Sequence, residues 1–340
     1  MVIKTRYFVK FYKMLTDTSA FKQVKEYHLK GDQPLKAIPT YLDTLWCKIR
    51  YALSTKEYFY FSFYNKNARA RRSYISSAKS FYTICNIINK GDKSLFDYKY
   101  NTYQAYKDYY RREAILVDLP SEADLIKEFA HKHHGFIMKP VNMSQGKGIR
   151  FWSEDMEQSD EKLRHLQNEV LGKVVIEEII QQDPEMAAFH PSSVNTIRYV
   201  VDYHESGVDR LFAFIRIGVG DNKVDNTSAG GICAAIDLDT GIIVSKGLRR
   251  NGECFILHPD SGKQIVGTKI PRWEDLNEMI QNLRPQNSPV RLVGWDMALS
   301  KDGWCIVEGN WGPSIIGIQG CLDEGYRSVI QRVKKKCAKH

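Results

Sequence analysis

The sequence predicts an α+β protein with a mainly helical N-terminal region, because composition and periodicity both change near residues 95–113. Residues 1–113 hold 22 Lys and Arg against 9 Asp and Glu, and 16 of the 19 tyrosines. Up to residue 95, apolar residues recur every three or four positions, which is typical of helices. From residue 114, short β-branched runs alternate with helical segments. We therefore predict a helical, basic region over 1–95, an α+β domain over 96–325, and the basic end of a helix over 326–340.

Composition places the chain among globular proteins with reduced thiols. Hydrophobic residues make up 43% and charged residues 26% of the sequence, the ordinary range for globular domains. The seven cysteines are scattered and form no CxxC pair, which argues against a disulfide framework and a zinc site. No apolar run approaches the roughly 20 residues of a membrane-spanning helix, and the N-terminus lacks the apolar stretch of a signal peptide. We expect a cytoplasmic protein.

The second part of the chain alternates predicted helices and strands. Helices are predicted over 119–134, 154–170, 271–284 and 323–340. Strands are predicted over 135–140, 149–152, 173–180, 196–203, 209–220, 230–239 and 241–250. Two further strands, 290–300 and 303–310, form a hairpin that turns at residues 301–303. Among helix starts, we predict N-caps at Thr40 and Ser54, and a capping box of Ser121 with Asp124.

A run of aromatic residues near position 60 precedes four basic ones, Lys66, Arg69, Arg71 and Arg72. One interpretation is a surface for an anionic ligand such as a nucleic acid, a sugar acid or a lipid headgroup. The other is an aromatic helix packed on its neighbour, with the basic residues in solvent. The segment carries no nucleic-acid motif, so we expect no nucleic-acid partner.

A lysine and a glycine-rich turn follow the strand over 135–140. Lys139 ends this strand, and Ser144, Gly146, Lys147 and Gly148 come within ten residues of it. Such a lysine can reach a phosphate, and glycines let backbone N–H groups approach its oxygens. The sequence matches neither a Walker loop nor a GxGxxG fingerprint. A lysine beside an ordinary glycine hairpin remains the alternative.

Carboxylates and an amide occupy the predicted hairpin near the C-terminus. Glu308 and Asn310 are two residues apart in one strand, so they lie on the same face of it. The hairpin can bring Asp296 opposite them. These side chains supply the hard oxygen ligands that Mg²⁺ takes alongside substrate phosphates. Because carboxylates inside apolar strands need a partner, we predict a metal site.

Two further strands carry charged residues in apolar surroundings. Glu177 and Glu178 end the strand KVVI, where exposed backbone groups and adjacent carboxylates suit an adenine and a ribose. Arg198, in the strand TIRYVV, could bind an anion bidentately. Three histidines, 131, 133 and 134, end a predicted surface helix, and we expect them to be solvated.

The order of these features resembles the ATP-grasp superfamily: a lysine before a glycine loop, a Glu-Glu strand end, an arginine strand, then Asp and Glu-x-Asn. The segments HPSSVNTIRYV, DNTSAGGICAAID, HPDSG and VEGNWGP are similar to the sugar-transfer-associated branch found among bacterial surface-polysaccharide genes. The resemblance covers roughly residues 96–320. It implies two α+β subdomains that clasp ATP, here a nucleotide-binding one over 114–180 and a metal- and substrate-binding one over 181–325.

The resemblance also implies roles for individual residues. Arg198 and Lys139 would be the catalytic cations, and Asp296, Glu308 and Asn310 would bind one or two Mg²⁺. The residues implied to bind ATP are Lys99, Lys139, Ser144, Gly146, Lys147, Gly148, Glu177, Glu178, Ile180 and Glu185. Those implied on the substrate side are Asn195, Arg198, Asn226, Gly230 and Gly231.

The activity implied by the resemblance is an ADP-forming carboxylate–amine ligase that acts through an acyl phosphate in polysaccharide assembly. Two alternatives stay open, namely a kinase of the same fold acting on a sugar or polyol hydroxyl, and a non-catalytic ATP-binding partner of a glycosyltransferase. The substrate is expected to be a small-molecule or lipid-linked sugar. The basic N-terminal region suggests contact with an acidic glycan or an anionic membrane, at the inner membrane face.

Overall fold

The computed structural model describes residues 37–141, 148–155, 159–222, 225 and 230–337. Its first part is helical, as predicted. The helices are α1 (Ala37–Tyr51), α2 (Thr55–Tyr60), α3 (Ala68–Ser73), α4 (Ser77–Thr83), α5 (Ser94–Asp97), α6 (Lys99–Ala105) and α7 (Lys107–Tyr110). Helix α4 runs directly into a π-helical turn over Ile84–Ile88. No helix among these residues or the other described ones is long and apolar enough to cross a membrane.

The start of α2 follows the prediction, whereas two other predicted helix starts are wrong. Ser54 caps α2 in a reciprocal capping box with Glu57. Thr40 lies inside α1, since that helix already begins at Ala37. The helix predicted over 119–134 begins at Ala123, and its N-cap Glu122 makes no side-chain capping bond. The Ser121 hydroxyl, one position too early to cap, donates to the Asp118 carbonyl at 3.0 Å.

The aromatic run around residue 60 packs inside the helical region. Phe61 and Phe63 are fully buried in a cluster with Tyr58 and Tyr74. The basic residues behind them are partly paired: Lys66 lies 2.6 Å from Asp323, and Arg71 binds both oxygens of Asp43. The packed aromatic side chains match the second interpretation, whereas Lys66 and Arg71 are paired with carboxylates and are not left in solvent, their side chains being 9% and 15% exposed.

A four-stranded antiparallel sheet follows, in the order β1-β4-β2-β3. Its strands are β1 (Ala114–Leu119), β2 (Gly135–Pro140), β3 (Arg150–Ser153) and β4 (Gly172–Glu178). Helices α8 (Ala123–His133) and α9 (Ser159–Glu169) contribute to its core. There the rings of Phe136 and Trp152 stack at 5.4 Å between centroids. The sequence predicts β2, β3 and β4 as strands. For β1 it gives only a β-branched composition, without a predicted strand.

A seven-stranded antiparallel sheet forms the rest of the domain, in the order β11-β10-β5-β6-β7-β8-β9. The strands are β5 (Thr196–His204), β6 (Gly207–Ile217), β7 (Ile232–Ile236), β8 (Gly247–Leu248), β9 (Cys254–Phe255), β10 (Leu292–Ser300) and β11 (Gly303–Asn310). Its helices are α10 (Pro184–Ala187), α11 (Trp273–Asn282), α12 (Ile316–Leu322) and α13 (Arg327–Cys337). Successive side chains of a strand point to opposite faces of the sheet. The sheet therefore contributes to two hydrophobic cores, one shared with α11 and one shared with α12 and α13.

The strand predicted over 241–250 is wrong apart from the short β8. Ile242 and Ile243 make only isolated bridges, to Lys269 and Ile236. A tight turn precedes them. In that turn Asp237 accepts the N–H and hydroxyl of Thr240, and Gly241 has φ +72°. The predicted hairpin of β10 and β11 is confirmed, with Ser300 paired to Gly303 across the turn.

The buried amide side chain of Asn89 connects the helical region to the larger sheet. Asn89, fully buried at the end of the π-helical turn, donates to the carbonyls of Leu292 and Trp311. Its oxygen accepts the N–H groups of Arg291 and Leu292 at 3.0 and 2.9 Å. These four bonds satisfy the strand and loop groups that would otherwise be unpaired, so they fix the helical region against β10.

Candidate functional site

Arg112 joins the two sheets at the base of the candidate site. It lies between α7 and β1, and its side chain is buried. Its Nε and Nη2 donate to Glu177 of β4 at 3.0 and 2.6 Å. Its Nη1 donates to the carbonyl of Ile306 in β11 at 2.6 Å. One guanidinium therefore spans both sheets, a role to which a planar fork of donors is suited.

Glu177 also pairs with Lys139, the lysine singled out from the sequence. Lys139 lies two residues along β2 from Ile137, which is opposite Glu177 in β4, so the two side chains share a face. Their charged atoms are 2.8 Å apart. Burial raises the pKa of Glu177, but the charges of Lys139 and Arg112 outweigh it and lower the pKa to about 2. Glu177 is therefore a buried anion that holds two cations.

Lys99 enters the same site from the first residue of α6. Burial lowers the pKa of its ammonium group, and the charges of Glu308, Lys139 and Glu177 act on it as well. Glu308 comes from β11, in the other sheet. Lys99 therefore lies within range of the charge of Lys139, 40 positions later in sequence, and of the carboxylates Glu177 and Glu308, one from each sheet.

A second charged cluster lies on β5, β6 and β10. Asp296 is opposite Arg198 of β5, which binds both of its oxygens. Arg216 of β6 approaches the same carboxylate at 2.8 Å and also lies 3.6 Å from Asp225. Burial raises the pKa of Asp296, but the charges of Arg198 and Arg216 lower it further than burial raises it. The anion that Arg198 binds is thus one of the protein's own carboxylates.

The three predicted metal ligands are adjacent in the β10–β11 hairpin. Asp296 pairs with Glu308, and Gly294 pairs with Asn310, so the predicted register is confirmed. The described residues contain no group of three His, Cys, Asp or Glu side chains that could hold a metal ion. Asp296 is already neutralised by two arginines.

Glu308 and Asn310 are the members of this set that fit a cation. No hydrogen bond or ion pair to Glu308 occurs within the described ranges, although Lys99 and Arg216 lie near enough to feel its charge. The Nδ2 of Asn310 is buried without a partner in the same part of the chain. Turning that amide over exchanges nitrogen for oxygen, and a carboxylate beside an amide oxygen suits Mg²⁺.

The other residues implied to bind the nucleotide lie at or after the end of β4, apart from those in the segment that precedes β3. Glu178 is half-exposed and accepts the Glu113 N–H at 3.3 Å. Ile180 follows the strand, half-buried. Glu185 lies in α10, exposed, with its N–H bonded to Asp183. Gly148 has φ +72°. The remaining residues of this group lie outside the described residues: Ser144, Gly146 and Lys147.

On the substrate side, the amide of Asn195 is fully engaged in the protein's own hydrogen bonds. Asn195 is completely buried. Its Nδ2 donates to the carbonyls of Met186 and His190, and its oxygen accepts the Gly218 N–H. It holds the chain that enters β5. Gly230, with φ +96°, and Gly231 lead into β7, and Asn226 lies outside the described residues.

The histidines of two His-Pro sequences form hydrogen bonds with the segment that follows β6. His190 donates through Nε2 to the Gly220 carbonyl at 2.8 Å, and His258 donates to the Gly218 carbonyl at 2.8 Å. A Cβ on Gly218 would lie 2.2 Å from the Ser193 Oγ, so only glycine fits between these partners. These hydrogen bonds fix the start of the segment that carries Asp225, the second carboxylate beside Arg216.

Sequence reasoning missed Arg112, Arg216 and Asp225. A signal existed for Arg216, an arginine within the apolar run LFAFIRIG, as it did for Arg198. No local pattern marks Arg112, which differs from its neighbour Arg111 only in its tertiary partners. Of the three histidines expected to be solvated, 131 and 134 are exposed and 133 is half-buried beside Glu113.

Comparison with solved structures finds similar proteins at low sequence identity. Among solved structures, the chain is similar to D-alanine–D-alanine ligase from Helicobacter pylori, with 14% identity and a TM-score of 0.45 over 72% of this chain and 61% of that one. It is also similar to the ATP-grasp ligase PsnB complexed with a minimal precursor, with 11% identity and a TM-score of 0.43 over 73% and 64% of the two chains. The chain thus spans less than two-thirds of each of these proteins.

The assignment itself rests on sequence. The comparison with curated protein sequences gives no match. The sequence pattern of the sugar-transfer associated ATP-grasp family matches residues 101–335, which is more than half of the chain. The match includes β1 to β11 and the charged residues of both clusters except Lys99. The chain therefore belongs to the sugar-transfer associated ATP-grasp family.

Proposed function

We propose that the protein is an ATP- and Mg²⁺-dependent, ADP-forming carboxylate–amine ligase of bacterial cell-surface polysaccharide biosynthesis. The observation that carries this proposal is the convergence of Lys99, Lys139 and Glu308 between the two sheets. Two lysines beside a carboxylate with no other partner in the described chain suit a triphosphate and its cation. Family membership supports the nucleotide, and the sugar-transfer association supports the pathway.

In this proposal the two lysines hold the ATP phosphates. Lys139 is kept in place by Glu177, whose own carboxylate is fully used by Lys139 and Arg112. Glu177 therefore acts by positioning Lys139, and the adenine lies against Glu178 and Ile180 at the end of β4. Glu308 and Asn310, with Asp296 beside them, would hold Mg²⁺, and the ion would supply neutralisation of charge on the phosphoryl group.

The charge around the site favours a carboxylate as the phosphoryl acceptor. Such an acceptor is ionised at neutral pH and needs no base, whereas a hydroxyl acceptor must lose a proton. Glu177 and Asp296 are each neutralised by two cations, which leaves neither as a base. Arg198 and Arg216 provide positive charge where an acyl phosphate would form.

The proposed reaction has two balanced steps. A carboxylate oxygen of the first substrate attacks the γ-phosphorus, the bond to the bridging oxygen breaks, and ADP leaves. The amine of the second substrate then attacks the carbonyl carbon, a C–N bond forms, the C–O bond breaks, and phosphate leaves while the amine loses a proton. Arg198 would stabilise the negative charge that develops in both steps.

The test is ATP turnover with Mg²⁺ against paired amino acids and uronic or amino sugars, with ADP and phosphate measured separately. Glu308→Gln removes the proposed cation ligand, and Glu128→Gln, an exposed carboxylate on α8, is the matched control. We expect ADP and phosphate in equal amounts, dependent on both co-substrates and lost only in Glu308→Gln. ADP without phosphate would instead establish a kinase. ATP binding without turnover under any pairing would remove support for the mechanism.

A further inference from the structure

Helix α1 presents a stripe of large apolar side chains to solvent. Ile38, Leu42, Trp46 and Ile49 are exposed by 65%, 59%, 57% and 65%. They lie at spacings of four and three, so they occupy one face of the helix over about 16 Å. The opposite side of the helix is buried, for example at Cys47. An apolar stripe of this size on a solvent-facing helix marks an interaction surface.

A basic groove lies between α4 and α13. It has a volume of about 210 Å³ and is lined by Ile75, Lys79, Tyr82, Arg327 and Lys334 among others. No ion pair between Lys79, Arg327 or Lys334 and a carboxylate occurs within residues 37–141 or elsewhere in the described chain. Among the described residues, the Arg327 side chain donates only to the backbone carbonyl of Tyr74. The groove therefore concentrates positive charge without compensation.

The stripe and the groove are continuous through Arg50. This residue lies four positions after Trp46, so the two side chains follow one another along the same face of α1. Burial and the charges of Arg327 and Arg50 lower the pKa of Lys79, and Arg50 acts in the same way on Arg327. Arg50, near the end of the apolar stripe, therefore adds positive charge beside the cations of the groove.

We propose that this surface, formed by α1, α4 and α13, docks the protein onto an anionic lipid bilayer. A helix binds a membrane interface when an apolar face with an aromatic anchor adjoins basic residues. Trp46 has the amphipathic ring that settles at headgroup level. The cations of the groove supply attraction to anionic headgroups. The surface uses the C-terminal helix as well as the N-terminal region, and it does not depend on the proposed ligase activity.

An anionic bilayer accounts for both halves of the surface at once. A soluble phosphate would neutralise the groove and leave the stripe of α1 exposed. An apolar partner would cover the stripe and leave four cations uncompensated. The surface is apolar at Ile38 and cationic at Lys79 and Lys334. Only a ligand with an extended apolar phase beneath a layer of negative charge matches both parts.

The test is co-sedimentation of the full chain with vesicles of phosphatidylcholine, alone or containing phosphatidylglycerol. The first variant, Lys79→Gln/Lys334→Gln, removes charge from the groove. The matched control, Lys162→Gln/Lys173→Gln, removes the same charge from exposed positions of the smaller sheet domain. Each lysine near an anionic surface contributes roughly fivefold to partitioning, so we expect about a 25-fold loss in the first variant only.

The second variant, Leu42→Gln/Trp46→Gln, removes the apolar stripe. Its control is Leu171→Gln/Ile256→Gln, since these residues are 79% and 51% exposed elsewhere on the protein. We expect the partition coefficient to fall at least tenfold in the second variant and to hold in its control, because binding scales with the apolar area that enters the interface. All four variants change exposed or half-buried side chains, and circular dichroism checks that each remains folded.

Three results would overturn the proposal. The first is no sedimentation with phosphatidylglycerol vesicles. The second is sedimentation that all variants retain equally, which would assign binding to another part of the chain. The third is a loss confined to Lys79→Gln/Lys334→Gln together with competition by millimolar inorganic phosphate, which would identify the groove as a site for a soluble anion.

Discussion

The buried pairing of Glu177 offers a direct test of how the site is built. Glu177→Gln keeps the size of the side chain but leaves Arg112 and Lys139 without their shared negative charge. A carboxyl pKa that falls from 4.5 to about 2 corresponds to roughly 3 kcal/mol of stability at neutral pH. Uncompensated buried cations add to that loss. We expect the free energy of unfolding at pH 7 to fall by about 3–5 kcal/mol.

The pairing of Glu177 also predicts how the free energy of unfolding depends on pH. The pKa of Glu177 is lowered in the folded state, so its contribution is complete above the unfolded value of 4.5. The contribution is lost as pH falls towards 2, because the protonated acid then resembles the glutamine of the variant. The stability difference between wild type and Glu177→Gln is therefore constant from pH 7 to 5 and shrinks below pH 4.5.

Urea unfolding followed by tryptophan fluorescence measures both quantities between pH 7 and 3.5. The matched control is Glu178→Gln, since Glu178 is the next residue and its side chain is 39% exposed. We expect the control to change stability by less than about 0.5 kcal/mol. A loss below about 1 kcal/mol in Glu177→Gln, or a difference that stays flat below pH 4.5, would refute the pairing as the reason for the geometry.

Three further predictions concern the hairpin and the attachment of the helical region. Asp296→Asn should lower the free energy of unfolding by about 3–5 kcal/mol, because Arg198 and Arg216 lose the carboxylate between them; urea titration measures this. Glu308→Gln should leave stability within about 0.5 kcal/mol, since no ion pair to it occurs in the described chain, while Mg²⁺-dependent release of ADP falls at least a hundredfold by the proposed mechanism. Asn89→Ala should cost about 2–4 kcal/mol in the same unfolding assay, because it removes four buried hydrogen bonds.

Each of these has a control on the same kind of side chain. Asp239→Asn breaks a contact with Arg210 in which the aspartate is 82% exposed, and Asn86→Ala removes one exposed bond to the Tyr82 carbonyl. Both should stay within about 0.5 kcal/mol of wild type. If Asp239→Asn proved as costly as Asp296→Asn, burial would not be the cause. Full turnover in Glu308→Gln would remove Glu308 from the proposed cation site.

Local sequence determined most of the secondary structure, because the deciding interactions lie within a few residues. Short apolar and β-branched runs marked β2, β4, β5 and β6 close to their observed bounds. The capping box of Ser54 and Glu57 spans three residues. The hairpin of β10 and β11 was marked by its short turn, which pairs Ser300 with Gly303. That register alone would place Asp296 opposite Val307, and a β-bulge between Asp296 and Met297 shifts it opposite Glu308. Where the local signal was ambiguous, as at residues 241–250, the prediction was wrong.

Tertiary structure decided which charges meet. Arg112 and Glu177 are 65 residues apart, and Arg198 and Asp296 are 98 apart. The local sequence around Glu177 does not indicate that it contacts two cations. The local sequence around Arg198 does not indicate that it binds a carboxylate of its own chain. These partners are set by the order of strands in each sheet and by the contact between the sheets. A buried charge requires a partner, so the sequence showed that Asp296 and Glu177 must have one, while only the fold could say which.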